Sequence, residues 1–169
     1  MIFKGSENSP RTHALVADAF IEAGLPAGVL NFLITAPEDA SAVTEALVAH
    51  DTVRRVNFTG STKVGRMIAE TCASHLKRCL LELGGKAPFV VLEDADIDGA
   101  VNAAVFGSFL YQGQICMSTE RFVVDQRVAD EFVSKFSERI GKLELGDPTA
   151  SPTCVVGPVI AQGLSLIHI

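Results

Sequence analysis

Short apolar, β-branched runs alternate with helix-length segments along nearly the whole chain, and this alternation limits its possible folds more than any other feature. Strands joined by helices at such spacing pair in parallel and are covered on both faces. The sequence therefore predicts an α/β fold, a parallel open sheet flanked by helices. The predicted strands are Met1–Lys4, Val29–Ile34, Arg54–Phe58, Cys79–Leu83, Ala87–Leu92 and Arg121–Asp125. The predicted helices are 10–23, Glu38–Ala49, Thr62–Ser74, 97–109 and Ala129–Lys142. Apolar residues recur with a helical period in three of them: Leu15, Val16, Ala19, Phe20 and Ala23 in the first, Val43, Ala46 and Leu47 on the inner face of the second, and the stripe Ile97, Ala100, Val101, Ala104, Val105 and Phe109 in the fourth.

Composition and charge exclude several classes of protein. The 169 residues carry a formal net charge of −6, and no basic cluster is longer than Arg54-Arg55, which argues against a nucleic-acid partner. No apolar run approaches the roughly 18 residues of a membrane helix, and Met1–Lys4 does not resemble a signal peptide. The four cysteines form no Cys-x-x-Cys pair, so neither a metal site nor a disulfide framework is indicated. We expect a soluble cytoplasmic protein with no membrane partner.

Ligands of parallel sheets bind beyond the carboxyl ends of the strands, so the strand-to-helix turns are the segments of interest. The first is Lys4-Gly5-Ser6-Glu7. Its lysine and glutamate could bond the two hydroxyls of an adenosine ribose. A solvated loop in which Glu7 offsets the helix dipole is the alternative, and local chemistry favours it.

The second turn is Phe58-Thr59-Gly60-Ser61, which follows a strand and opens a helix. Free N–H groups at a helix start favour an anion, Gly60 allows close approach of a pyrophosphate, and Ser61 adds a hydroxyl. The alternative is a simple helix start capped by Ser61 or Thr62. The turn matches neither the Rossmann glycine pattern nor a P-loop.

The third turn is Glu82-Leu83-Gly84-Gly85-Lys86. A carboxylate at the end of an apolar strand can be shielded from water and serve as a general base. The alternative is an ion pair with Lys86 or Lys77. The two glycines favour a functional turn, because a plain connection between strands rarely needs them.

The fourth turn surrounds Cys116 in Gly113-Gln114-Ile115-Cys116, between an apolar helix and a strand. A cysteine in a polar loop is a better candidate for a reactive thiol than one on a buried face. By this criterion Cys72 and Cys79 are ordinary buried cysteines, and Cys154 lies in a loop rich in threonine and proline. No histidine is close in sequence to these turns, which argues against a Cys-His protease.

Together, Phe58-Thr59-Gly60-Ser61, Glu82-Leu83-Gly84-Gly85-Lys86 and Gly113-Gln114-Ile115-Cys116 resemble, in order and spacing, the signature of the aldehyde dehydrogenase superfamily. The resemblance covers roughly residues 1 to 162. It implies that Cys116 is the nucleophile, that Glu82 activates the hydrolytic water, and that the cofactor is NAD, with NADP less favoured beside Glu7. The residues that it implies for cofactor binding are Lys4, Glu7, Phe58, Thr59, Gly60, Ser61, Leu83 and Gly84.

The same resemblance implies oxidation of a small aldehyde to a carboxylic acid through a thiohemiacetal and a thioester. Cys116-Met117-Ser118-Thr119-Glu120-Arg121 is similar to the branch acting on aromatic aldehydes such as salicylaldehyde or vanillin. Two alternatives stay open. One is a CoA-acylating or phosphate-reducing relative, against which Glu82 argues, and the other is a non-catalytic nucleotide-binding fragment.

The resemblance also implies a domain plan. Residues 1–83 correspond to part of a Rossmann-type NAD-binding domain, and residues 84–162 to the start of the catalytic domain. Residues 163–169 resemble translated vector sequence. The family is longer than this chain, so we expect an internal fragment that is inactive alone, from a parent that forms a homo-oligomer.

Overall fold

The computed structural model describes residues 1–162, which divide into two compact units. The first is Met1–Glu82 and the second begins at Leu83. The tail expected at 163–169 lies outside the described residues. The first unit contains β1 (Ile2–Lys4), α1 (Pro10–Glu22), β2 (Asn31–Leu33), a 3-10 turn (Pro37–Asp39), α2 (Ala40–Ala49), β3 (Arg55–Gly60), α3 (Thr62–Ser74) and β4 (Arg78–Leu83), whose last residue crosses the division. The second contains β5 (Ala87–Val91), α4 (Ile97–Phe109), a 3-10 turn (Leu110–Gly113), β6 (Thr119–Val124) and α5 (Gln126–Ile140).

The strands confirm the α/β class, since β1 pairs in parallel with β2 and β5 pairs in parallel with β6. Phe3 lies opposite Phe32, and Phe89 lies opposite Phe122. The described strands form three two-stranded sheets, the third joining β3 to β4, whereas the sequence predicted one open sheet. Local periodicity identifies a strand but does not say which strand is its neighbour.

Most predicted boundaries hold to within a few residues, and α3 occupies Thr62–Ser74 as expected. The exceptions have local causes. Helix α5 begins before Ala129, because the Asp125 carboxylate accepts a hydrogen bond from the Arg127 N–H at 3.0 Å and caps an earlier start. Strand β2 is reduced to Asn31–Leu33, because Gly28 with φ +80° holds the preceding residues in a turn.

Helices α2 and α3 supply the core of the first unit. Val48, Ile68 and Cys72 are buried there, and Phe58 and Cys79 pack against them from the strands. Val48 is the buried residue of α2, whereas Ala46, expected on the inner face, is exposed. Helix α1 contributes only Ala17 to the buried residues, and the apolar side chains by which the sequence predicts this helix are exposed. These are Leu15, Val16, Ala19 and Phe20.

The second unit has the larger core, built by α4 and α5 on β5 and β6. Ile97, Val101 and Ala104, three members of the predicted apolar stripe of α4, are buried against Val91 and Phe132. Phenylalanine rings of β6 and α5 pack against one another at a tilt, with 5.0 Å between the ring centroids of Phe122 and Phe136. This core fixes the end of α4 and the start of β6, between which the Cys116 loop lies.

Two absences concern the part of the chain that the structure describes. No helix within residues 1–162 has the length and apolar character needed to cross a bilayer. Those residues also contain no group of three or more histidine, cysteine or acidic side chains placed to hold a metal ion.

Candidate catalytic and cofactor-binding sites

The Cys116 thiol is free and exposed, at the end of a loop with unusual backbone geometry. After α4 the chain passes through three consecutive residues with positive φ: Tyr111 at 51°, Gln112 at 57° and Gly113 at 70°. Left-handed conformations are disfavoured for residues that carry a Cβ, by about 1–2 kcal/mol each. Such a run persists only where surrounding contacts enforce it.

Two glutamine side chains supply contacts of this kind. The Gln114 amide nitrogen donates to the Tyr111 carbonyl at 3.1 Å, and its oxygen accepts from the Ile160 N–H at 2.9 Å. With the amide of Gln112 in the orientation that satisfies its neighbours, its oxygen accepts from the Gly157 N–H at 2.7 Å. The two glutamines therefore tie the Cys116 loop to residues 157–160.

Ser118 closes the loop on the other side of the thiol. Its hydroxyl is buried and accepts the Ile115 N–H at 3.2 Å, while its own N–H donates to the Ile115 carbonyl. The Cys116 N–H, in contrast, has no hydrogen-bond acceptor among residues 1–162. A free N–H beside a nucleophile can stabilise a developing oxyanion.

Glu82 lies at the end of the first unit and Cys116 in the second, and each is described within its own unit. The Glu82 side chain is exposed, and it makes no ion pair with any described residue. Lys86 pairs with Glu120 instead, and Lys77 donates to the Val48 and His50 carbonyls at 2.5 and 2.6 Å. The alternative in which Lys86 or Lys77 holds Glu82 is therefore absent from this structure.

Lys4 and Glu7 meet at the carboxyl end of β1, where their side chains form a half-buried ion pair. Glu7 also accepts the Thr35 hydroxyl at 3.3 Å, from just beyond β2. The Lys4 hydrogen bond, with help from the backbone and Thr35, lowers the pKa of Glu7 from its ordinary 4.5. The turn thus presents an ammonium and a stably ionised carboxylate, a donor and an acceptor set that suits ribose hydroxyls.

The start of α3 has the expected cap, since the Ser61 hydroxyl accepts the Val64 N–H at 3.3 Å. Capping and anion binding are compatible, because one hydroxyl satisfies only one of the free N–H groups of a helix start. A Cβ on Gly60 would lie 2.5 Å from the Phe58 ring. Glycine at position 60 is thus needed for packing of the Phe58 side chain. Thr59 is exposed beside it.

Leu83 is half-buried, and the Gly84-Gly85 pair is open. A Cβ at either glycine would meet no described atom within 4 Å, and neither has a positive φ. Neither packing nor backbone conformation within the described residues explains the two glycines.

The remaining thiols are less suited to catalysis. Burial and the neighbouring Cys79 thiol raise the pKa of Cys72 to about 11. The Cys154 thiol donates a weak hydrogen bond to the Val156 carbonyl at 3.5 Å. Cys72 packs in the core of the first unit, as the sequence predicts, and Cys79, which is half-buried, packs against it.

Sequence reasoning missed several residues of these sites. Thr35 could have been found, because it follows the strand parallel to β1. Gln114 belongs to a recognised motif, but its partner Ile160 is 46 residues away and no local pattern connects them. His13, in the first turn of α1, accepts the Ser6 N–H at 2.7 Å, so the prediction that no histidine lies near these turns is wrong for His13.

Comparison with known proteins identifies the family of this chain. Residues 1–164 match the aldehyde dehydrogenase family, and the chain belongs to it. A salicylaldehyde dehydrogenase from Pseudomonas putida is 59% identical over 161 residues, which cover 95% of this chain and 33% of the relative. A vanillin dehydrogenase from Pseudomonas sp. HR199 is 55% identical over 160 residues, with coverage of 95% and 33%. The chain thus spans about a third of the length of these relatives.

Solved structures share the fold. A salicylaldehyde dehydrogenase from Pseudomonas putida G7, complexed with salicylaldehyde, has a TM-score of 0.92 at 59% identity and covers 95% of this chain and 33% of its own. An NAD-dependent benzaldehyde dehydrogenase from Corynebacterium glutamicum has a TM-score of 0.87 at 44% identity, and the match covers 96% of this chain and 35% of that enzyme. An NADP-dependent enzyme of E. coli has a TM-score of 0.88 at 38% identity, and the match covers 96% of this chain and 33% of that enzyme. Neighbours thus include enzymes described with either nicotinamide cofactor.

Proposed function

We propose that the protein to which this chain belongs oxidises an aromatic aldehyde to the carboxylic acid with NAD, using Cys116 as nucleophile and Glu82 as general base. The observation that carries the proposal is the exposed Cys116 thiol beside its own unpaired N–H, in a loop held by Gln112, Gln114 and Ser118. Salicylaldehyde, vanillin and benzaldehyde dehydrogenases among the relatives support an aromatic substrate.

The reaction begins when the Cys116 thiolate attacks the aldehyde carbon, forming a C–S bond and a thiohemiacetal oxyanion. The Cys116 N–H, which has no acceptor among the described residues, donates to that oxyanion. Bound NAD would supply the hydride acceptor for this carbon, and loss of the hydride would leave a thioester on Cys116. Glu82 then takes a proton from water, the resulting hydroxide attacks the thioester, and the acid leaves with the Cys116 thiolate regenerated.

The residues of the first unit would hold the cofactor. Lys4 and Glu7 suit the adenosine ribose, and the start of α3 with Ser61 and Gly60 suits the pyrophosphate. The remaining predicted contacts, from Phe58, Thr59, Leu83 and Gly84, belong to the same proposal. The lowered pKa of Glu7 keeps its carboxylate charged at neutral pH. A charged carboxylate repels a 2′-phosphate, and this favours NAD over NADP.

The test uses the complete gene product, with salicylaldehyde, vanillin and benzaldehyde as substrates and NADH absorbance as the readout. Cys116→Ser should abolish NADH formation, whereas Cys154→Ser, a matched change at a cysteine outside the site, should leave it unchanged. Glu82→Gln should keep a rapid burst of about one NADH per active site and then slow the steady rate by about 10²-fold or more. Equal activity of the wild type and Cys116→Ser would contradict the proposal.

The same experiment separates the two alternative functions. A burst of NADH with no carboxylic acid, followed by turnover only when CoA or phosphate is added, would identify an acylating relative. Binding of NAD without any Cys116-dependent oxidation would identify a nucleotide-binding module. A cytoplasmic location and a homo-oligomeric parent remain parts of the proposal, to be checked by fractionation and by light scattering.

A further inference from the structure

The turn that carries Lys4 and Glu7 is held by a side chain from the following helix. The Ser6 N–H, between those two residues, donates to Nδ1 of His13 at 2.7 Å. The Ser6 carbonyl accepts the Ser9 N–H at 3.2 Å. His13 therefore fixes the peptide that separates the two proposed ribose ligands.

Packing fixes the His13 side chain in turn. Its ring lies against Phe3 of β1, with 5.5 Å between the ring centroids. A Cβ on Gly5 would lie 3.1 Å from the Cβ of His13 and 2.8 Å from Cδ1 of Ile34, so no space remains between helix and turn. The turn at Gly5 therefore packs closely against His13.

The hydrogen bond defines the protonation state of the imidazole. A backbone N–H can only donate, so Nδ1 must offer its lone pair and the ring must be neutral, with its proton on Nε2. Protonation of Nδ1 would place two N–H donors against each other and break the bond. Histidine is the side chain whose charge ordinarily changes between pH 5 and 8.

We propose that His13 is a positioning residue for the adenosine-ribose site, and that protonation of its imidazole weakens binding of the nicotinamide dinucleotide. The inference rests on the proposed function, because it takes Lys4 and Glu7 as ribose ligands. The effect of His13 acts through the conformation of the turn, and it needs no contact between His13 and the cofactor.

Glu7, the acidic group of the same turn, does not account for a pH effect in this range. Glu7 is already ionised there, because its pKa lies below the ordinary 4.5. Strand β2, which packs against Phe3 through Phe32, has no titratable residue. The charged groups of β1, the turn and α1 are the Met1 amino group, Lys4, Glu7, Arg11, Asp18 and Glu22.

The experiment measures NAD affinity of the complete gene product by calorimetry at pH 8.0 and pH 5.5. His13→Asn retains an acceptor, since its Oδ1 occupies the position of Nδ1, but it cannot be protonated. His13→Ala removes the acceptor. His75→Asn is the matched control, because His75 is an exposed histidine of the same unit that lies at the end of α3.

We expect the wild type and His75→Asn to bind NAD about 3- to 10-fold more weakly at pH 5.5 than at pH 8.0, the loss that corresponds to one hydrogen bond. His13→Asn should bind like the wild type at pH 8.0 and keep that affinity at pH 5.5. His13→Ala should be weakened by a similar factor at both pH values. Hydrogen exchange of the Ser6 amide, measured without NAD, should be faster in His13→Ala only.

Two results would overturn the inference while leaving the proposed function intact. One is wild-type pH dependence in His13→Asn, and the other is unchanged affinity and Ser6 exchange in a folded His13→Ala protein. If the wild type binds NAD at neither pH 8.0 nor pH 5.5, both proposals are overturned.

Discussion

The side-chain oxygen of Gln114 accepts a hydrogen bond from the Ile160 N–H at 2.9 Å, across 46 residues of sequence. This bond joins the loop of the candidate nucleophile to the last part of the chain that the structure describes. It makes the conformation of the Cys116 loop dependent on a segment with which it shares no secondary structure.

Replacement of Gln114 tests this connection. Gln114→Ala removes the acceptor of the Ile160 N–H. The free energy of local opening at that amide should fall by about 1 kcal/mol, which corresponds to about 5-fold faster hydrogen exchange. Gln114→Glu keeps an oxygen in place and serves as the control, with exchange at Ile160 close to that of the wild type. Exchange measured by mass spectrometry on peptides covering 157–162 gives the readout. Identical protection in all three proteins would show that the bond does not hold the loop.

Cysteine labelling tests the assignment of the thiols. At pH 8, iodoacetamide should modify exposed Cys116 quickly and leave Cys72 unmodified in the folded chain. A pKa of about 11 for Cys72 leaves about one thousandth of it as thiolate at that pH, before burial is considered. Labelling of Cys72 should rise as the pH approaches 11. Peptide mapping measures each site, and denaturation in guanidinium should equalise the rates of the two cysteines.

Gly5 tests the packing under the first turn. A methyl group there would meet Ile34, Phe32 and His13 at 2.8, 3.0 and 3.1 Å, and the last contact is with a Cβ that cannot swing away. We expect Gly5→Ala to lower the free energy of unfolding by about 1–3 kcal/mol in urea titrations. Gly84→Ala is the matched control, because a Cβ there meets nothing within 4 Å. If Gly5→Ala lowers the free energy of unfolding no more than Gly84→Ala does, the turn accommodates the added methyl group at little cost.

The Lys4–Glu7 pair gives a prediction for pH. A carboxyl group whose pKa is lowered by folding stabilises the folded state above its unfolded pKa, and this contribution disappears as the pH falls through the folded pKa. Glu7→Gln should therefore cost up to about 1 kcal/mol between pH 6 and 8 and progressively less below pH 4.5. Urea titrations across this range measure the difference. A cost that persists at pH 2 would point to lost packing and not to charge.

The sequence predicted the helices and strands of this fold better than it predicted which strands pair with one another. Helix α3 and the buried stripe Ile97, Val101 and Ala104 follow from a local period of 3.6 residues and from a cap such as Asp96. The separation into three small sheets could not be predicted in this way, because pairing is a contact between distant residues.

The candidate sites show the same difference between features that local sequence predicts and features that depend on distant contacts. Cys116 was predicted from a cysteine in a polar loop between a helix and a strand. Local chemistry favoured a solvated loop for Lys4 and Glu7, and the family resemblance supplied their proposed role. The ion pair of Lys86 with Glu120 and the bond from Ser6 to His13 depend on side-chain directions set only by the assembled turns. Glu82, by contrast, was found by its motif, and its predicted role as a base remains to be tested.

The left-handed run before Cys116 has a stereochemical consequence. Glycine at position 112 would accept φ 57° without strain but would remove the amide that receives the Gly157 N–H. A D-residue would favour that dihedral angle, yet its side chain would leave the α-carbon in another direction. The handedness of the chain thus opposes the conformation of this loop, and the contact of Gln112 with Gly157 is kept against that preference.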